Sequence, residues 1–267
     1  QLFWTPNSSQ IVAYFDPTRI YILDATRENN PNQLLNSAFQ METLAADWEQ
    51  QLWLEKRKKL DKLPEEMQRI ATQSATLTFF SPNEEKLLYT ATQSATIPQE
   101  IIPLTLASNT QVENRQLKPG NIYVYDIEED KNFLIVSNVY NESQLQDMIA
   151  KFYLEQPENI ENTPIPQTNQ IQARPNNKPI LTRLQNITYQ YSPVYLENVP
   201  QWFPTSNHIV YSNNNKITIS EYDGTNNTNI YSGPFEGPWP NGNKMVILTS
   251  FTYDNSQPTN LYGFNLQ

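Results

Sequence analysis

The chain has no cysteine, one histidine and only six glycines among 267 residues. Without cysteine there can be no disulfide, no thiolate zinc site and no cysteine nucleophile; the absence also suits an oxidising exterior. A lone histidine, His208, argues against a Ser-His-Asp triad, and no Gly-x-Ser-x-Gly elbow is present. So few glycines leave little room for a phosphate-cradling loop. No apolar run reaches transmembrane length, and no signal peptide opens the chain. Basic residues are scarce too: 18 Lys and Arg against 28 Asp and Glu give a net charge of −10. That balance disfavours nucleic acid, which needs clustered cations. The one basic cluster, Lys56-Arg57-Lys58-Lys59, sits in a helical, acid-flanked stretch and reads as a solvated helix face. The sequence begins at Gln1 inside a strand-like phrase, which reads as a fragment or processed form with any targeting segment upstream.

What the chain has instead is Asn, Pro, Gln, Thr and Ser, with aromatics led by Tyr. Turns must therefore be made by Asn, Asp and Pro. The hexapeptide ATQSAT occurs twice, at Ala71–Thr76 and Ala91–Thr96. The two copies are too close together for a repeat unit, since one ends a predicted helix and the other leaves a strand.

A longer repeat is more informative. Four phrases align: FWTPNSSQIVAYF from Phe3, FFSPNEEKLLYTA from Phe79, WFPTSNHIVYS from Trp202 and PWPNGNKMVILTS from Pro238. Each places aromatics and a proline before a polar turn, then a polar residue, then an apolar β-branched run. That is strand, tight turn, strand. A second strand follows each copy: Ile20–Asp24, Ile122–Asp126, Ile217–Glu221 and Leu261–Asn265. Each ends in Asp, Glu or Asn, which can open a turn, and Asp223-Gly224 is a hairpin signal. The third and fourth copies lie about 37 residues apart, near the roughly 40–45 of a four-stranded propeller blade. The expected fold is all-β: one β-propeller domain over 1–267, partial or complete, with four recognisable blades. Either earlier blades lie upstream, or Ile180–Tyr191, read as strand-like alternation, completes a degenerate fifth.

Two segments interrupt this pattern. Over 33–73, Met41, Leu44, Trp48 and Leu52 keep helical spacing, and Leu60, Leu63, Met67 and Ile70 continue it. Pro64 followed by Glu65-Glu66 predicts a helix start, hence one long and one short helix. Trp48, Trp53 and Leu54 cover more than one helical face, which makes them the candidate partner-binding residues. Residues 156–179 form a Pro/Asn-rich stretch expected to be mobile. Thr92–Gly120 reads as a long ordered loop, and Asn141–Glu155 as a short helix with Leu145, Ile149 and Phe152 on one side.

No convergent chemical site emerges. In the repeat alignment His208 takes the position of Gln10, Lys86 and Lys244, a polar post-turn slot rather than a ligand position. Glu128, Glu129 and Asp130 after Asp126 read as a solvated turn; their spacing fits no calcium loop. The four Asn-x-Ser/Thr sequons are what chance supplies in such a composition. No catalytic residue, metal or cofactor is expected.

The strand–Ser-Pro-Asn–strand phrase resembles TolB-like and WD-repeat-like propellers. More specifically, Leu63–Pro98, Lys118–Ile135, Trp202–Asn226 and Tyr231–Ser250 are similar to the C-terminal propeller of bacterial PEGA-domain proteins. This resemblance implies a membrane-anchored envelope protein, its anchor upstream and its propeller outside the cytoplasmic membrane, with no enzymatic activity. The expected function is a non-enzymatic scaffold that binds a protein or glycan partner. A glycosidase-like hydrolase with paired carboxylates and a structural subunit of a surface assembly are the alternatives.

Overall fold

The computed structural model describes residues 1–99, 101–102, 110–152, 178–191, 199–213, 215–249 and 260–266. It overturns the all-β propeller: the fold is mixed α/β, with 26% helix and 38% strand in several small, separate antiparallel sheets. The chain divides into two compact units, Gln1–Lys58 with Lys151–Ser192, and Lys59–Ala150 with Pro193–Gln267.

In the first unit, β1 (Leu2–Trp4), β2 (Gln10–Asp16) and β3 (Arg19–Asp24) form an antiparallel meander. Its inner face carries Phe3, Val12, Tyr14, Ile20 and Ile22, which pack against helices α1 (Met41–Leu60) and α4 (Ile180–Tyr191). This is the physical reason the propeller expectation fails here. A blade buries its faces on other sheets, whereas this sheet buries one face on helices. The segment Ile180–Tyr191 is a helix and not the expected strand. Its alternating appearance hid a second period: Ile180, Leu184 and Ile187, spaced four and three apart, are the residues that enter the core. On α1 the expected face is present, with Met41 and Leu52 buried and Leu44 and Trp48 packed against the same cluster.

The second unit starts with α2 (Glu65–Gln73), whose acids Glu65 and Glu66 occupy the first turn. Pro64 is its N-cap, one position earlier than expected. The stretch 33–73 is thus shared, α2 lying wholly in the second unit and most of α1 in the first. A four-stranded sheet follows in the order β4 (Ala75–Phe80), β5 (Lys86–Ala91), β8 (Ile122–Asp126), β9 (Lys131–Val136). Strands β5 and β8 are buried throughout. One face, with Leu87, Tyr89, Tyr123 and Tyr125, takes Met67 and Ile70 of α2. The other, with Leu88, Val124 and Phe133, takes Ile209 of β11 (His208–Asn213).

That strand belongs to a second four-stranded meander with β10 (Gln201–Trp202), β12 (Lys216–Glu221) and β13 (Thr228–Ser232). Its Phe203, Val210 and Ile217 pack on Met245 and Ile247 of a third sheet, formed by β14 (Glu236–Asn241), β15 (Lys244–Thr249) and β16 (Asn260–Asn265). Sheets stacked this way satisfy both faces of the middle layer. Within Thr92–Gly120, β6 (Ala95–Thr96) pairs with β7 (Gln116–Leu117), burying Ile97 and Leu117 nearby. Pro103-Leu104 lie outside the described residues, as do 156–177 of the Pro/Asn-rich stretch. Helix α3 (Glu142–Phe152) fills the expected short-helix segment.

The four repeats hold at the level of backbone. Ser8, Glu84, Ser206 and Gly242, the middle residues of the four polar turns, adopt φ of 55°, 61°, 65° and 60°. The matching slot after each turn, at Gln10, Lys86, His208 and Lys244, opens β2, β5, β11 and β15. Thr5 and Ser81 make the same two bonds. Each hydroxyl donates to an Asn two residues on (2.7 Å in both) and accepts the N–H of the post-turn residue (3.2 and 3.0 Å). The ATQSAT copies are not equivalent units but are spatial neighbours. Ala75 pairs with Ala91, and the Gln93 amide donates to the Gln73 carbonyl and the Ser74 hydroxyl.

Candidate functional site

The carboxylates flagged after β8 are the first place to look for chemistry. Asp126 is buried, and its Oδ1 accepts the N–H groups of Glu128 and Glu129 at 3.1 Å each. Its Oδ2 lies 3.8 Å from Lys86 Nζ, and that ammonium sits 4.6 Å over the Tyr222 ring. Burial raises the Asp126 pKa above the ordinary carboxylate value, opposed by the two N–H bonds and by Lys86. Asp130 turns through φ 49° and is buried. It accepts the Tyr125 hydroxyl and the Ile101 N–H at 2.9 Å each, and Arg115 lies at 3.3 Å. Arg115 also donates to the carbonyls of Asp130 and Pro98 and to Glu113. Desolvation, then the Asp130 charge, push the Tyr125 hydroxyl far above its usual pKa.

The expected solvated turn is hydrogen-bonded and buried at its two aspartates, Asp126 and Asp130, while Glu128 between them is exposed and Glu129 half-buried. The buried Asn132 extends it, accepting from Tyr89 at 2.8 Å and donating to the carbonyl of the half-buried Asn114 at 2.6 Å. Asp126 and Asp130 each have their oxygens turned toward the protein's own donors, which fixes the loop. Such an arrangement positions backbone; it does not present a free acid beside a free base. The sequence signal that could have found it is the pairing of Asp126 with Lys86, both at ends of neighbouring strands in register.

His208 takes its expected slot, with Nδ1 3.1 Å from the Thr205 hydroxyl and its ring edge-on to Phe203. Among the described residues, no group of three His, Cys, Asp or Glu side chains could hold a metal ion. A shallow depression of about 320 Å³ along β6 and β7 has Lys118 as its one ionisable lining residue, so it offers no acid–base pair.

In the first unit the chemistry is simpler. Arg183 of α4, 2% exposed, grips α1. Its Nε and Nη2 fork onto the two oxygens of Glu49 at 3.0 and 2.8 Å, and Nη1 reaches Glu42 at 2.6 Å. The candidate Trp48 packs against the same core. Trp53 is half-buried under the Arg57 guanidinium, 5.3 Å from its ring centre, and Leu54 is half-buried one position on. The three predicted residues are thus not gathered in one exposed patch.

The outer face of β1–β3 was not anticipated. Pairing aligns Leu2, Ala13 and Tyr21 in one row and Trp4, Ile11 and Leu23 in the next. Phe15 stands edge-on to Tyr21, with ring centres 6.0 Å apart. Leu2 is 70% exposed, Phe15 67% and Trp4 42%. An antiparallel sheet with one solvated face normally alternates apolar and polar; this one is apolar on both. The signal was present in IVAYF and RIYIL, whose unbroken apolar runs suit a strand covered on two sides.

No family model matches the chain, and no curated protein matches it.

Proposed function

We propose that this chain is a non-enzymatic binding scaffold that engages a protein partner. The observation that carries this reading is the apolar outer face of β1–β3, a contiguous patch of the kind that marks interaction sites. A flat apolar face fits protein better than glycan. Sugar recognition needs polar groups interleaved with the rings, and the two aligned rows of this face are apolar apart from the Tyr21 hydroxyl, with the exposed Arg19 at the start of β3. The buried carboxylates support the non-enzymatic part, because each is engaged by the protein's own donors, Asp126 by its turn and Asp130 by Tyr125, Ile101 and Arg115.

The test is a capture experiment with the whole chain immobilised. Protein bound by wild type is expected to be lost with Phe15→Asp and retained with Trp53→Ala and Leu54→Ala. Capture that survives Phe15→Asp but fails with the helix variants would move the surface to α1. Deleting 33–73 would not serve, because Met41 and Leu52 belong to the core.

A further inference from the structure

The basic cluster on α1 is not the uniformly solvated face its sequence suggests. Arg57 and Lys58 are exposed, whereas Lys56 and Lys59 are half-buried. A cation withdrawn from water normally finds a carboxylate. Lys59 has Glu84 at 3.2 Å, the buried Lys86 has Asp126 at 3.8 Å, and the half-buried Lys131 has Glu129 at 3.9 Å. Lys56 is the exception. Among the described residues no carboxylate lies within 4.0 Å of it and no acceptor takes its protons, in a chain whose net charge is −10.

We infer that Lys56 is a nucleophilic amine, a site at which an apolar aldehyde condenses to an imine. Its place on α1 supplies the reason. Leu52, four residues earlier, is buried in the core of the first unit, and Trp53, three residues earlier, is half-buried. Side chains three and four apart are neighbours on a helix, so the ammonium stands beside apolar groups. It loses hydration there and gains no partner, which disfavours the charged form. Desolvation lowers its pKa from 10.5 to about 8, so that about 10% is neutral at pH 7 against about 0.03% of an ordinary lysine. A lysine desolvated in this way is an amine nucleophile toward carbonyl compounds.

The step needs no oxidant or reductant. The nitrogen lone pair attacks the carbonyl carbon and a C=N bond forms. Both amine hydrogens leave with the carbonyl oxygen as water. The exposed Lys58 shares the same basic cluster but stays protonated, because water solvates its charge.

Reductive trapping tests this on the whole chain. The protein is incubated at pH 7 with benzaldehyde and sodium cyanoborohydride, which fixes imines as secondary amines, and labelled lysines are located by peptide mass spectrometry. Lys56 is expected to label at least about tenfold faster than Lys58, Lys216 and Lys244, a margin that allows for the weaker intrinsic nucleophilicity of a less basic amine. Lys56→Arg should remove the fast label and leave the Lys58 rate unchanged. In urea the preference should vanish, since every lysine is then solvated. Equal rates at Lys56 and Lys58 in the folded chain overturn the inference, because the amine would be an ordinary solvated one. An unlabelled Lys56 overturns it too, as an amine no aldehyde can reach. A preference that survives in urea also overturns it, since the fold would not be its cause.

Discussion

The first unit lays one small sheet on two helices, and the other face of that sheet is also largely apolar, with Leu2 and Phe15 exposed. The second stacks three sheets and a helix, and closes charged groups into the layers. The contrast shows where polar side chains are used. In the second unit they fix loops: Asp126, Asp130, Arg115 and Asn132 hold the turns around β8 and β9. In the first unit one cation, Arg183, holds helix to helix, and the sheet faces carry almost no polarity. A buried polar network specifies one loop conformation and discourages exchange of partners.

The sharpest way to break this comparison is to remove Asp130. Asp130→Ala strips a buried partner from Arg115 and leaves the Tyr125 hydroxyl and the Ile101 N–H unsatisfied. Loss of one member of a buried ion pair costs about 3–5 kcal/mol. Urea unfolding should show that loss in the second unit alone, with a fluorescence change from Trp202 and Trp239 and none from Trp4 and Trp48. A single shared transition for both units would deny their independence.

Next in size is Arg183→Met. It removes the fork onto Glu49, but Glu42 is 64% exposed and can rehydrate. The expected cost is about 2–3 kcal/mol, toward the low end for a buried pair. It should appear in the first unit, and Arg183→Lys should fall between Met and wild type because an ammonium cannot make the fork. Equal stability of the Lys and Arg forms would remove geometry from the account.

Acid should separate the units by sign. The Asp16 pKa is lowered from 3.8 to about 2, by the Thr18 hydroxyl first, then Arg19 and the Thr18 N–H. A depressed carboxylate contributes stability that is full above its ordinary pKa and is lost as pH falls from 3.8 toward 2. Asp126 is shifted the other way by burial. A raised carboxylate is easiest on the fold when protonated, and its contribution declines as pH rises through its folded pKa. Asp126→Asn should therefore gain on wild type as pH climbs above the ordinary carboxylate value of 3.8, whereas Asp16→Asn should lose on wild type as pH climbs from about 2 to 3.8. Parallel pH profiles for the two variants would contradict these environments.

Much of the strand pattern was legible because the repeat is a local device. A proline and a short polar turn followed by an apolar run encode strand, turn, strand without outside help, and all four copies fold so. What the copies pack against was not legible. Ile20 and Ile22 look the same in sequence whether a helix or a sheet covers them. Ile180–Tyr191 misled for a related reason, since two periods overlap in ILTRLQNITYQY and only the tertiary partner, α1, decides between them. Of the candidate surface, the Trp48 face read correctly as apolar, but exposure cannot be read from apolarity. The burial of Asp126 and Asp130 was missed because their charged partners, Lys86 and Arg115, are far from them in the sequence.

The smallest effect tests the repeat itself. At the αL position of four turns the protein has Ser, Glu, Ser and Gly. Only glycine takes that conformation without a Cβ clash, and a non-glycine residue there is strained by roughly 1–2 kcal/mol. Glycine also loses more chain entropy on folding, so the net gain is smaller, below about 1 kcal/mol. Ser8→Gly is the clean case, since Glu84 also pairs with Lys59 and Lys62 and the Ser206 hydroxyl accepts the Asn83 N–H. Ser8→Gly should raise the melting temperature of the first unit slightly, while Glu84→Gly gains nothing because its ion pairs offset the relief. If Ser8→Gly lowers the melting temperature, the shared backbone bend is not what these turns have in common, and the four phrases match in sequence alone.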